Sequence, residues 1–484
     1  MGIATKLMYV NGEWIPASGN KTYELKSPAT CEVIARIADG GTKEVKMAIA
    51  AARESFPAWS KMSAKERGAI LKRAEANILA RVDDIAKLIT LENGKPFNEA
   101  KAEVLFSSGY LSWFAEEGRR AYGEVVPSPF AHKRFWTTLK PIGVIGAITP
   151  WNFPANMITR KIAPALAAGC TVVLKPAEDT PLTALAIAQA FHDAGFPKGV
   201  FNIVTTNDPR PVSAEFLADP IVKMIAFTGS VAVGKLLMEQ SAKQIKKLSL
   251  ELGGNAPALV FEDADLDKAV ERVAAIKFLR VGGESCICAN RIYVHKDIYS
   301  SFVSKFVQRV KAFKVGNGFT EGVQIGPLIS EEARARVHAL VEETKSQGGK
   351  VLLGGHYLTE GECAKGFFYA PTVIEGSKDE WSICQNEIFG PVANILSFSD
   401  EAEVIARANN TIYGLAAYIF SRDLARVLRL TDALEYGFVG VNDGDGYVHE
   451  IPIGGFKESG IGREGGKEGL REYMEVKSVL VNIQ

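Results

Sequence analysis

"AFTGSVAVGKLL", residues 226–237, runs an apolar, strand-like segment into Thr228, Gly229 and Ser230 and then into residues that favour a helix. A helix that begins inside the Gly229-x-x-x-x-Gly234 interval turns free backbone N–H groups and the positive end of its dipole toward any anion at the strand end. The stretch approaches a P-loop, since Lys235 follows Gly234. However, Leu236 stands where that motif needs the Ser or Thr hydroxyl that binds Mg²⁺. Two uses remain for the glycines: tight packing of strand against helix, and close approach of a phosphate. Either way the segment reads as a strand-to-helix turn of an α/β sheet.

Working outward, the same rhythm repeats. "PIGVIGAITPWNFP" (141–154), "CTVVLKPAE" (170–178), "GVFNIV" (199–204) and "VKMIAFTGS" (222–230) are apolar strand-like runs separated by helical stretches such as "LTALAIAQAFHDAG". Helix-separated apolar strands imply a parallel sheet covered on both faces. Upstream, the capping box Ser63-Ala-Lys-Glu66 opens a long helical stretch that closes near Asn93-Gly94. Downstream, "NAPALVFED", "CANRIYVH", "YAPTVIEG" and "VANILSFS" start a second α/β series that includes a helix over 330–348. A chain of 484 residues with 47% hydrophobic content is too long for one core, so two or three packed domains are expected.

The 56 basic residues balance the 56 acidic ones, which removes any global electrostatic reason to bind nucleic acid or an anionic membrane. No window of about 18 apolar residues is present that would span a bilayer, and the N-terminal segment has no secretory apolar run. Lys6 stands where myristoylation needs Ser or Thr. The sequence therefore reads as a soluble cytoplasmic protein. Cys31, Cys170, Cys286, Cys288, Cys363 and Cys384 show no C-x-x-C pair, and the histidines form neither H-x-x-x-H nor H-E-x-x-H, so neither a disulfide scaffold nor a metal site is read.

Three features carry chemistry. Lys175 and Glu178 close a buried strand, where open α/β sheets bind ligands, and a carboxylate there suits a ribose diol while repelling a 2′-phosphate. Glu251 closes another apolar strand before Gly253-Gly254, and burial would raise its pKa toward that of a general base. Cys286, in "VGGESCICANRI" (281–292), is a candidate nucleophile that needs such a base, because an ordinary thiol is mostly protonated at neutral pH.

"TPWNFP", "LKPAEDTPL", "FTGS", "LELGG", "GESC", "NEIFGP", "NNTIYGLAA" and "GGFKESGIGRE" follow one another across almost the whole chain. In order and spacing they resemble the aldehyde dehydrogenase superfamily, and most closely its succinate-semialdehyde dehydrogenase group. The resemblance implies an aldehyde dehydrogenase-like α/β fold in three parts. These are an NAD-binding Rossmann-like domain (1–124 and 142–253), a catalytic domain (254–455) and a β oligomerisation arm (125–141 and 470–484) of a homotetrameric dimer of dimers.

It also implies roles. Cys286 attacks the aldehyde to form a thiohemiacetal and then a thioester, and Glu251 activates the hydrolytic water. Asn152 and the Cys286 N–H hold the oxyanion, and Lys161 tunes the network. Thr149, Pro150, Trp151, Lys175, Glu178, Gly229, Ser230, Glu387 and Phe389 would line NAD, with NADP also possible. Arg160 and Arg280 match positions that bind a distal carboxylate. The chain departs from the group at Val281 and Glu284, where Asn and Gln are usual, and in "GDGYVHEIPIGG", which puts His449 near the place of a substrate-binding hydroxyl. That departure opens 3-sulfolactaldehyde or another anionic semialdehyde, such as glutarate semialdehyde, as alternatives to succinate semialdehyde. Some relatives close a Cys-x-Cys disulfide, which Cys286 and Cys288 would allow only after local rearrangement.

Overall fold

The computed structural model describes residues 5–444 and 448–484. At its centre lies an eight-stranded sheet. Its parallel core runs, in spatial order, Lys247–Glu251, Val222–Thr228, Val144–Ile148, Thr171–Lys175 and Phe201–Ile203. Val144–Ile148 and Thr171–Lys175 are buried at every position, as strands covered by helices on both faces must be. Helices Ala64–Leu79, Phe97–Glu117, Asn156–Ala168 and Pro181–Asp193 supply the apolar cluster on one face. Thr42–Lys61 and Pro209–Ala218 supply the cluster on the other. On that second face Phe216 is fully buried, and a Cβ at Gly146 would stand 2.9 Å from its ring. Truncating Phe216 to Ala would cost about 3–5 kcal/mol.

Chain order reverses between Val144–Ile148 and Val222–Thr228. From the first of these the chain moves outward through Thr171 and Phe201, then returns to lay Val222 and Lys247 on the opposite side. The carboxyl ends of the two central strands therefore flank a crevice, which is the ligand position of such sheets. An antiparallel hairpin, Met8–Val10 with Glu13–Ile15, closes one edge, and Gly460–Ile461 pairs antiparallel with Lys247–Glu251 at the other.

A second sheet of seven strands, ordered Lys350–Leu353, Thr372–Glu375, Val392–Phe398, Ala289–His295, Ala256–Val260, Ala416–Phe420 and Phe438–Val441, is parallel except at its first strand. A third sheet pairs Lys133–Pro141 antiparallel with Met474–Asn482 over nine positions and carries Val125–Val126 on its other edge. Val476, Leu480 and Ile483 are exposed there.

The long helical stretch after Ser63 is two helices, not one. Ser63 Oγ accepts the Glu66 N–H and Gly94 ends the stretch at φ 87°, as the sequence suggests, but Ala64–Leu79 and Val82–Asn93 are separated at Arg81. The break lets Ile70, Leu71, Ala74 and Ile78 of the first helix, and Ile85, Ala86 and Ile89 of the second, face one cluster that a straight helix would leave. Among the described residues no helix is long and apolar enough to cross a membrane.

Candidate active site

Two cavities meet at Cys286. One, of about 330 Å³, opens over the crevice and is lined by Pro150, Trp151, Asn152, Gly229, Ser230, Glu387 and Phe389. Ser230 caps helix Val231–Ser241, its Oγ accepting the Val233 N–H at 3.3 Å. Gly229 has no room for a side chain, since a Cβ would lie 2.3 Å from the Phe227 ring, and the buried Thr228 Oγ1 beside it has no hydrogen-bond partner. Lys175 and Glu178 pair at 2.6 Å at the neighbouring strand end, close to Thr149, whose N–H bonds the Lys175 carbonyl. A helix N-terminus, an unpartnered hydroxyl, a strand-end carboxylate and two aromatic rings form a donor set that fits a dinucleotide. Those rings, Trp151 and Phe389, meet edge to face with centroids 5.6 Å apart.

Charged side chains hold this cleft in shape. The Lys95 ammonium reaches the Asn152 carbonyl at 2.7 Å and Glu103 at 2.6 Å, while Asn93 donates to the Trp151 carbonyl. Glu387 accepts the Gly254 N–H at 3.0 Å, and burial pushes its carboxyl up to about 7. Arg336, also on the cleft wall, donates to the carbonyls of Ile388 and Phe389 and holds Phe389 at φ 47°.

The second cavity, of about 320 Å³, includes Glu251, Cys286, Arg160, Arg280, Glu99 and the apolar side chains of Phe106, Phe153, Leu279 and Ile453. Burial, reinforced by Glu387, pushes the half-buried Cys286 thiol up to about 12, against the pull of Arg160. Burial first, and then the charge of Glu464, lifts Glu251 to about 8, opposed by Arg160 and Lys161. Of the four expected catalytic residues, Glu251, Cys286 and Asn152 therefore line these cavities. The Asn152 amide donates to the Glu284 carbonyl at 3.0 Å, which uses one of its two N–H groups. Lys161 instead lies buried in an ion pair with Glu464.

Two substrate expectations change. Arg160 lines the chamber, but its Nε is 2.5 Å from Glu464, so it is not an unpaired cation demanding an anionic tail. Arg280 also lines the chamber, with its guanidinium donating to the Gly444 carbonyl. His449 does not face the chamber. Its ring stacks on Phe106 at 4.4 Å and meets Tyr110 at 4.6 Å, and Nε2 lies 2.7 Å from the Phe106 carbonyl, in space kept open by Gly109. This turning away removes the reason for a sulfonate head group. Asp445, Gly446 and Tyr447 of the same segment lie outside the described residues. Cys286 and Cys288 are free thiols, and Cys288 is buried 3.5 Å from the Lys277 ammonium and 3.3 Å from the Gly283 carbonyl.

Glu464, Glu99, Arg336, Lys95 and Glu103 are among the site residues that the sequence does not single out. Glu464 ends "GGFKESGIGRE", the last of the ordered motifs, and that is the one signal that points to it. In the fold it is fully enclosed, and although burial opposes ionisation, Arg160 and Lys161 hold its carboxyl below the ordinary range.

A model described as the aldehyde dehydrogenase family matches residues 14–479. The chain is 47% identical over 475 residues to glutarate-semialdehyde dehydrogenase of Pseudomonas putida, covering 98% of this chain and 97% of that one. It is also 47% identical over 474 residues to succinate-semialdehyde dehydrogenase [NADP(+)] of Escherichia coli, with the same two coverages. Among solved structures, a betaine aldehyde dehydrogenase of Staphylococcus aureus in complex with NAD⁺ superposes with a TM-score of 0.97 at 35% identity, over 99% of this chain and 95% of that one.

Proposed function

Because the chain belongs to the aldehyde dehydrogenase family, we propose that it oxidises a short anionic aldehyde, succinate semialdehyde or its one-carbon-longer homologue glutarate semialdehyde, to the carboxylic acid with NAD(P). The observation that carries the reading is Cys286 at the junction of a dinucleotide-shaped cleft and a chamber that also holds Glu251 and Arg280. Arg280 and Arg160, both on the chamber wall, are the cations we assign to the distal carboxylate, and Arg160 already carries an ion pair to Glu464.

Cys286 Sγ forms a bond to the aldehyde carbon while its proton passes to the Glu251 carboxylate. The second N–H of Asn152 and the backbone N–H of Cys286 stabilise the oxyanion of the resulting thiohemiacetal. Thr228, Gly229, Ser230, Glu178 and Glu387 would hold a nicotinamide dinucleotide, with Thr149, Pro150, Trp151 and Phe389 along it. When bound, that cofactor supplies the hydride acceptor. Once the adduct carbon has lost its hydride, a thioester remains on Cys286. After Glu251 has released the first proton to solvent, its carboxylate takes a proton from water as the water attacks the thioester, and C–S cleavage, with that proton passed on to sulfur, returns the thiol and releases the acid. The carboxylate at this position favours water over coenzyme A as the second nucleophile.

The Lys175–Glu178 pair supports NAD over NADP. Glu178 carries the ribose-binding charge and occupies the lysine that would otherwise meet a 2′-phosphate. We place cofactor binding in 1–124 with 142–253 and substrate chemistry in 254–455. The exposed apolar strand Met474–Asn482 supports a dimer of dimers built through the third sheet, since an edge of that kind needs a partner.

The test is NADH formation with succinate semialdehyde, glutarate semialdehyde, 3-sulfolactaldehyde and neutral aldehydes of matched length. One carboxylated semialdehyde should lead the neutral series in kcat/KM by about a hundredfold, or ~2.7 kcal/mol. Neutral aldehydes performing equally would remove Arg280 as a substrate ligand and leave only the family chemistry.

A further inference from the structure

The segment that delivers Cys286 adopts a conformation that its own sequence resists. Val281, Gly282 and Gly283 have φ of 50°, 57° and 87°, three consecutive left-handed residues. Glycine accepts this region freely, but a β-branched side chain does not, and Val281 is buried as well. Gly283 is required where it stands, because a Cβ there would lie 2.4 Å from the Gly390 carbonyl. Something other than intrinsic preference must therefore hold Val281, and one bond comes from outside the loop. The Val281 N–H donates to Glu99 Oε1 at 2.7 Å. Glu99 sits in the first turn of helix Phe97–Glu117, which packs closely on helices Ala64–Leu79 and Asn156–Ala168 and so forms a rigid mount.

From this clasp, a short run of contacts reaches the reacting groups. The Val281 carbonyl accepts the Glu284 N–H at 3.0 Å, the Glu284 carbonyl accepts the Asn152 amide at 3.0 Å, and Cys286 follows two residues on. If Val281 relaxed to a right-handed or extended conformation, the Glu284 carbonyl would swing away from Asn152 and the thiol would leave the junction of the two cavities. We propose that Glu99 is a positioning residue, whose carboxylate clasps the Val281 N–H and holds the strained nucleophile loop in its working geometry. The idea rests on Cys286 being the nucleophile of the proposed reaction.

The test is a double-mutant cycle of Glu99→Ala and Val281→Asn, because Asn occupies the left-handed region more readily than Val and so relieves the need for a clasp. Four quantities are read on the full-length protein: kcat for the leading aldehyde, KM for NAD, thermal midpoint, and hydrogen exchange of the peptide spanning residues 279–285. Glu99→Ala should lower kcat by about tenfold or more with KM for NAD within about twofold, and should speed local exchange by about tenfold. In the Val281→Asn background the same change should cost less than about threefold. Equal losses in both backgrounds, or unchanged exchange in Glu99→Ala, overturn the proposal. Should Glu99→Ala fail to fold, Glu99→Gln, which keeps an acceptor oxygen, should show a smaller loss that Val281→Asn again removes, and a loss that persists overturns the clasp. Accelerated exchange in a protein that oxidises no aldehyde would sink the proposed function and leave the clasp standing.

Discussion

Replacing Glu464 with Gln should move the acid limb of the pH–rate profile downward. Glu464 acts on Glu251 in two ways: its charge raises the Glu251 pKa, and its ion pairs occupy Arg160 and Lys161, whose charges lower it. Glu464→Gln removes the first influence and releases the second, so both changes act in the same direction. An opposite charge at close range is worth roughly one to three units, and losing a like charge adds to it in the same direction. The Glu251 limb at about 8 in the wild type should therefore fall by roughly two units in the variant. Since Glu251 works as a base, activity rises with pH through that value, and the variant should retain activity at pH values where the wild type has lost it.

Stability carries an independent signature. Two buried cations lose their anion, and removing one partner of a buried ion pair costs about 3–5 kcal/mol, with the low end expected because Gln still accepts hydrogen bonds. Because the folded-state pKa of Glu464 is depressed, the stability it contributes is present above the ordinary carboxylate range and is lost as pH falls through the folded value. The gap in stability between wild type and variant should narrow on acidification. The assay is kcat/KM between about pH 5 and about pH 10 alongside denaturant unfolding at each pH. An acid limb that stays at the wild-type position, or rises, refutes the coupling between Glu464 and Glu251.

Two further outcomes follow from the site. Glu178→Ser frees Lys175 and removes a charge hostile to a 2′-phosphate, so the NAD to NADP ratio of kcat/KM should fall by about tenfold or more; an unchanged ratio would place the ribose elsewhere. Arg280→Ala should raise KM for the carboxylated semialdehyde by about tenfold, while His449→Ala, which removes a ring stacked on Phe106, should change it less than about threefold; the reverse ranking would restore His449 as a substrate ligand.

What the sequence makes legible here depends on the range of the interaction. The five parallel strands of the first sheet read directly, because each is a short, mainly apolar run with Gly or Pro near an end, whereas the edge strands Met8–Val10, Glu13–Ile15 and Gly460–Ile461, each two or three residues long, are too short to read this way; the strand-to-helix turn at Gly229 carries its own chemistry in its residue types. Glu251 is similarly visible as a polar group at the end of an apolar run, whereas Cys286 stands out as a cysteine straight after Gly-Gly-Glu-Ser and inside the ordered motifs. The pairing of Arg160 with Glu464 is not legible, because 304 positions separate the two residues in the chain and no local pattern marks it. The position of His449 fails for a related reason: only the groove beside Gly109, on a distant helix, decides which way that ring turns. The division of the helical stretch at Arg81 shows the same principle, since each half has adequate helical periodicity and only the shared core requires the bend.

The two pKa values at the heart of the site constrain the order of events on the proposed route. Because burial pushes the Cys286 thiol far above the Glu251 carboxyl, moving a proton from one to the other before any bond forms is uphill. A thiolate formed in advance would therefore be a minor species, held back by burial and by Glu387 on the cleft side. Proton transfer that accompanies C–S bond formation escapes this cost, because negative charge then gathers on the substrate oxygen, within reach of the Asn152 amide, and not on sulfur next to Glu387. The rate of alkylation of Cys286 by iodoacetamide, which has no oxyanion to stabilise, should then keep rising with pH well above the acid limb of turnover. A thiol titrating at or below the Glu251 limb would instead mean that the thiolate is preformed, and the base would be needed only for hydrolysis of the thioester.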